Sequence, residues 1–202
     1  MKRLRYTLLA DGSSDQALMP VIDWLLGQKL PAWRIVPQFA RLGAVGLALA
    51  QRVPAALMMF PCDLLFVHRD AEGVPATQRL REIAEAMCCY DQRYVPVVPV
   101  RMTEAWLLSD ERAIRRAAGN QRGSHQLGLP ERRRWEGRPD PKTDLARALR
   151  AASGKTKRRQ SRDEFSRQRI LVAEYTEDFS SLRGLASFDE LELQLAEKLK
   201  DL

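Results

Sequence analysis

The chain has 202 residues, 45% of them hydrophobic, which is ordinary for a globular core and allows one large or two small domains. Its net charge is +7, and no apolar run approaches the length of a secretory signal or a membrane span, so the expected setting is soluble and cytoplasmic. Three cysteines, Cys62 and the adjacent Cys88 and Cys89, lack CxxC or His/Cys spacing, which predicts reduced thiols and no zinc site.

Residues 5–10 (RYTLLA) read as a first strand, broken by Asp11-Gly12-Ser13. Ser13 with Gln16 three residues on resembles a capping box and opens a helix to about residue 28, which Pro20 would bend. A second strand is expected at 33–39 despite Pro37, followed by a small-residue helix over about 43–53. Leu64, Leu65, Phe66 and Val67, within 63–68, form the unbroken apolar run of a strand covered on both faces. That strand ends in His68-Arg69-Asp70-Ala71-Glu72-Gly73. Leu80, Ile83, Ala84 and Met87 then recur at helical spacing across 77–89. Residues 94–100 supply a fourth strand, which Pro96 and Pro99 confine to an edge or shorten, because each removes a ladder donor. Residues 103–117 read as one helix.

After Ala118 the composition changes: Gly, Asn, Gln, Ser and Arg dominate to about residue 139, as in a mobile loop or insertion. Asp140-Pro141 starts a helix to about residue 152, with Asp as cap and Pro at the first position. The run Lys155 to Arg159 (KTKRR) lacks apolar anchors and reads as solvated. Further helices are expected at about 162–175 and, after a Ser187/Glu190 capping box, at 188–199. The alternation of strands and helices predicts an α/β fold, a mostly parallel sheet flanked by helices, over residues 1–118. Residues 119–202 would form a basic loop and helical extension packed on it.

The acids fall at corresponding places in this scheme. Asp11 follows the first strand, Asp70 and Glu72 the third, and Glu104 the fourth, and in an open parallel sheet these strand ends share one edge where ligands bind. Several like charges held together repel unless a proton or cation offsets them, and hard Mg²⁺ or Mn²⁺ prefers oxygen ligands. Residues i and i+2 leave an extended strand on the same side, so Asp70 and Glu72 are expected to present oxygens to one ion. Each acid also has an ordinary reading. Asp11 and Asp15 would complement a helix dipole, Asp70 and Glu72 would pair with Arg69 or Arg79, and Glu104 would pair with Arg101.

Asp11-Gly12-Ser13-Ser14-Asp15 after the first strand and Asp70-Ala71-Glu72 after a later buried strand resemble the acidic motifs of a Toprim domain. More closely, HRDAEG, RMTEAWLLSD and RPDPKTDLARAL resemble a compact bacterial Toprim-like family related to the Toprim domain of overcoming-lysogenization-defect nucleases. The resemblance implies a Toprim-like, Rossmann-like fold and metal-dependent phosphodiester chemistry. Asp70, Glu72 and Glu104 would hold Mg²⁺ or Mn²⁺, with Asp11 as ligand or proton carrier. It also implies a nuclease role, as a bacterial defence effector that could depend on an ATPase or other protein partner. Asp11 stands where the family usually has Glu, and Glu72 where it usually has Asp. The alternative is a catalytically inactive module of the same kind that binds nucleic acid or protein.

The charge is unevenly spread. From Glu131 to Arg169 there are 14 Lys/Arg against 6 Asp/Glu, a balance of +8, and the remainder carries −1. Arg132, Arg133, Arg134, Arg138, Lys142, Lys155, Lys157, Arg158 and Arg159 are therefore the candidates for contacts to DNA or RNA phosphates, with Trp135 available to stack on a base. A solvated surface is the ordinary reading of such a run. No Walker loop, dinucleotide fingerprint, Ser nucleophile elbow or HExxH motif is present, and no tyrosine is placed as a topoisomerase nucleophile.

Overall fold

A computed structural model describes residues 1–43, 45–46, 48–154 and 161–200. Alternate residues of the two central strands feed two different cores. In β1 (Arg3–Leu9), Leu4, Tyr6 and Leu8 join one apolar cluster and Leu9 the other; in β3 (Leu64–His68), Leu64 and Phe66 join the first and Leu65 and Val67 the second. Period-two burial on both faces is what the unbroken Leu64–Val67 run requires. With β2 (Arg34–Phe39) and β4 (Tyr94–Val97) they form an all-parallel sheet in the order β2-β1-β3-β4. The proline-bearing fourth strand is four residues long and lies at an edge.

The order dictates where the helices go. From β1 the chain moves one way to β2, then returns across β1 to β3 and β4. Right-handed crossovers therefore need helices on opposite faces. Accordingly α1 (Met19–Lys29) packs Val21, Ile22, Leu25 and Leu26 into the first cluster, while α2 (Leu49–Met59) and α3 (Ala76–Met87) pack Leu49, Val53, Ala56, Ile83 and Met87 into the second. The reversal opens a crevice at the carboxyl ends of β1 and β3. The remaining helices, α4 (Glu104–Leu107), α5 (Glu111–Ala117), α6 (Pro141–Ser153), α7 (Arg162–Tyr175) and α8 (Ala186–Leu199), thicken the first face. Trp106, Ile114, Leu145, Val172 and Phe188 share one cluster with the sheet, so residues before and after 118 meet in the same core.

Several local expectations are revised. A 3-10 turn, Ser13–Leu18, precedes α1, and its capping partner is Asp15, whose carboxylate accepts the Gly12 N–H at 2.9 Å; Ser13 plays no such part. Pro20 sits in the first turn of α1, where its missing N–H is not needed, and so does not bend it. The second helix starts at Leu49 because Gly43 is left-handed (φ 58) and Ala48 extended. Residues 103–117 split into two helices, because the Asp110 carboxylate accepts the N–H of Arg112 (2.8 Å) and Ala113 (3.0 Å) and starts α5 afresh. Trp135 is buried in the first cluster and donates to the Pro130 carbonyl at 3.0 Å, so its ring is not exposed for stacking on a base. Ser187 lies inside α8 and bonds Glu136 and Trp106, a tertiary tie rather than a cap. Asp140 does cap α6, accepting the Thr143 N–H at 2.9 Å, with Pro141 at the first position. Among the described residues no helix is long and apolar enough to cross a membrane.

Candidate functional site at the carboxyl edge of the sheet

Strand alternation sends His68 to the same face as Leu64 and Phe66. Its Nδ1 is 3.0 Å from the Val97 carbonyl. A carbonyl only accepts, so Nδ1 carries the hydrogen, and in the neutral ring Nε2 is the acceptor. Nε2 stands 3.5 Å from Oδ1 of Asp70 and 4.0 Å from Oδ2 of Asp15. The same Oδ1 of Asp70 accepts from the Thr103 N–H at 3.1 Å and from its hydroxyl at 3.4 Å. Burial pushes the Asp70 carboxyl up to about 6; the negative charges of Asp15 and Glu104 add to this, while His68 opposes it.

Glu104, in the first turn of α4, is 1% exposed. It accepts from Arg169, which reaches in from α7 and also donates to Oδ1 of Asp15 at 3.2 Å. Three carboxylates, Asp15, Asp70 and Glu104, are thus gathered from the segments after β1, β3 and β4, two of them on one guanidinium and Asp70 beside His68. Asp15 reads from sequence only as the end of an acidic motif and a helix-dipole partner, and Arg169 is the member not singled out. Both carried a signal in their spacing. Asp15 precedes buried Leu18 and Ile22 by three and seven residues, and Arg169 follows Phe165 by four and precedes Val172 and Ala173. A charge on an apolar stripe needs a buried partner.

Asp11 and Glu72 stand outside this group. Arg69, one residue past His68, faces the opposite side and pairs with Asp11 and with Glu82, each at 2.7 Å. Arg79 bonds Glu82 at 2.8 Å and the Asp70 carbonyl at 3.2 Å. Glu72 is exposed and has a left-handed backbone (φ 54), so the extended geometry that would put it beside Asp70 does not exist. Its N–H donates to the carbonyl of Arg101, itself left-handed at φ 66, at 2.9 Å. Two non-glycine residues in this conformation, facing each other after β3 and β4, place backbone strain beside Asp70. Among the described residues, no three His, Cys, Asp or Glu side chains are set to hold a metal ion. The set Asp11, Asp70, Glu72 and Glu104 does not assemble as such: Asp70 and Glu104 are brought together, and Asp15 joins them. In kind, their oxygens suit a hard divalent cation, and Arg169 is the one guanidinium shared by Asp15 and Glu104.

Beside the carboxylates, on the β2 side of β1, lies a cavity of about 430 Å³ whose wall includes Asp11, Ser13, Ser14, Arg41, Arg52 and Arg167. The basic candidates divide. Arg132 donates to the carbonyls of Ser181 (2.7 Å) and Arg183, Arg138 pairs with Asp144 at 2.5 Å, and Arg133 pairs with Glu131 at 2.7 Å. Arg134 and Lys142 are exposed. Lys155, Lys157, Arg158 and Arg159 lie outside the described residues. No protein-family model matches the sequence, and no curated protein or solved structure matches it.

Proposed function

We propose that the chain is a Mg²⁺- or Mn²⁺-dependent phosphodiesterase acting on DNA or RNA, built on a Toprim-like core. The observation that carries this reading is the buried cluster of carboxylates at the topological switch point, where Asp15 and Glu104 share one arginine and their charges act on Asp70 beside them. Asp70 would hold the cation, with Asp15 and Glu104 adding negative charge beside it. When bound, that ion supplies the missing positive charge, an activated water and stabilisation of charge on phosphate. The chain's own residues have separate tasks. Arg169 fixes the two flanking carboxylates, and the Thr103 N–H orients Asp70. His68, its ring oriented by the Val97 carbonyl, holds Nε2 3.5 Å from Asp70. Exposed Arg134 and Lys142 are suited to phosphates of a polymeric substrate. Work as a bacterial defence effector with an ATPase partner is the part of this reading that rests on resemblance alone.

A second reading has its own observation: Asp11 and Glu104 are each neutralised by an arginine, as in a catalytically inactive Toprim-like adaptor that binds nucleic acid or protein. Incubation of single- and double-stranded DNA and RNA with Mg²⁺ or Mn²⁺ separates the two. Cleavage by the wild type that is lost in Asp70→Asn supports the enzyme. Equal cleavage by both removes the activity from this site, and salt-sensitive binding without cleavage identifies the adaptor.

A further inference from the structure

Among the described residues Arg52 has no counter-charge. It projects from α2, is 6% exposed, and donates from Nη2 to the Ala10 carbonyl at 2.6 Å; its Nε is buried without a partner. Among the described residues it makes no ion pair, and Asp11, the acid in the same cavity wall, is engaged by Arg69. A guanidinium held out of water with one carbonyl for company is unfavourable unless an anion completes it. Arg41 and Arg167, both exposed, belong to the same wall, with the hydroxyl residues Ser13 and Ser14. Arg41 is positioned by Gln16, to which it donates at 3.2 Å.

We infer that this cavity is a subsite for a phosphate group, completed by Arg52, Arg41 and Arg167. Its volume of about 430 Å³ exceeds what a bare phosphate fills and is of the size of small-ligand sites; Phe39 and Ile170 supply an apolar wall for the sugar or base attached to it. Arginine forks match phosphate oxygens in pairs, and the serine hydroxyls add neutral donors. That the ligand is a nucleotide unit of the substrate rests on the phosphodiesterase reading, since the cavity and the carboxylates share the segment after β1 and the helix α7. The preference for an anion rests on Arg52.

The full chain, in EDTA, is titrated with inorganic phosphate and with oligothymidylate bearing either a 5′-phosphate or a 5′-hydroxyl. The wild type binds phosphate. Arg52→Met weakens binding at least tenfold, and so does the paired change Arg41→Gln with Arg167→Gln, which keeps the test open if the Arg52 variant does not fold. A tenfold preference for the 5′-phosphate assigns the subsite to a strand end, and equal affinity for both oligomers assigns it to backbone diesters. Absence of phosphate binding, or variants that bind as well as the wild type, overturns the subsite. Because no metal or turnover is involved, failure of the cleavage assay does not alter this result, and failure here leaves the cleavage assay standing.

Discussion

Arg169 and Glu104, 65 residues apart in the chain, form a hydrogen-bonded ion pair with 6% and 1% of their surfaces exposed. The same guanidinium reaches Asp15, so one cation on α7 ties the segment after β1 to the segment after β4. Breaking a buried pair by removing one partner leaves an uncompensated charge. Arg169→Met is therefore expected to destabilise the fold by about 3–5 kcal/mol, measured by urea denaturation at pH 7.5. A loss under about 1 kcal/mol would mean that solvent already compensates these carboxylates.

Asp70 links stability to pH. Its folded-state carboxyl titrates at about 6 against 3.8 for an ordinary aspartate. Between these values the folded chain keeps a proton that the unfolded chain has released, so this group's contribution to stability is full below about pH 4 and is lost as pH rises through 6. Asp70→Asn keeps the acceptor for Thr103 and removes the charge. Its advantage over the wild type is expected to grow from nothing near pH 4 to on the order of 2–3 kcal/mol at pH 7.5. Denaturation curves across that range check it, and a constant difference would contradict it.

The break between α4 and α5 depends on Asp110, whose carboxylate satisfies two N–H groups at the start of α5. Asp110→Ala is expected to lose about 1 kcal/mol in thermal or urea unfolding. Asp110→Asn should recover most of it.

Basic residues that are engaged differ from those that are free to meet phosphate. Arg134→Gln with Lys142→Gln is expected to lower the slope of log affinity against log salt for duplex DNA by about 2, read by fluorescence anisotropy. Arg138→Gln should instead lower stability, since Arg138 compensates Asp144, which is 4% exposed.

The architecture was legible wherever one local pattern decided the outcome. Leu64 to Val67 announced a doubly covered strand, Pro96 an edge, and Asp140-Pro141 a helix start. The carboxyl edge was legible in part. Strand ends brought Asp70 and Glu104 together, but Arg169 lies 154 residues from Asp15, and no local pattern announces a pairing across that distance. Glu72 escaped because its left-handed backbone is fixed by the carbonyl of Arg101, a partner in another loop. Trp135 sits in an Arg-rich run that reads as surface, yet it is buried in the first cluster, a tertiary placement that no local pattern carries.

The central claim is that Asp15, Asp70 and Glu104 together call for a divalent cation. Mn²⁺ titration followed by the electron paramagnetic resonance of the free ion, in wild type and Asp70→Asn at pH 7.5 and pH 5, addresses it without any substrate. One bound ion per wild-type chain at pH 7.5, weakened at pH 5 as Asp70 takes up its proton and lost in Asp70→Asn, is the expected result. Equal binding by both proteins, or none by either, would contradict it.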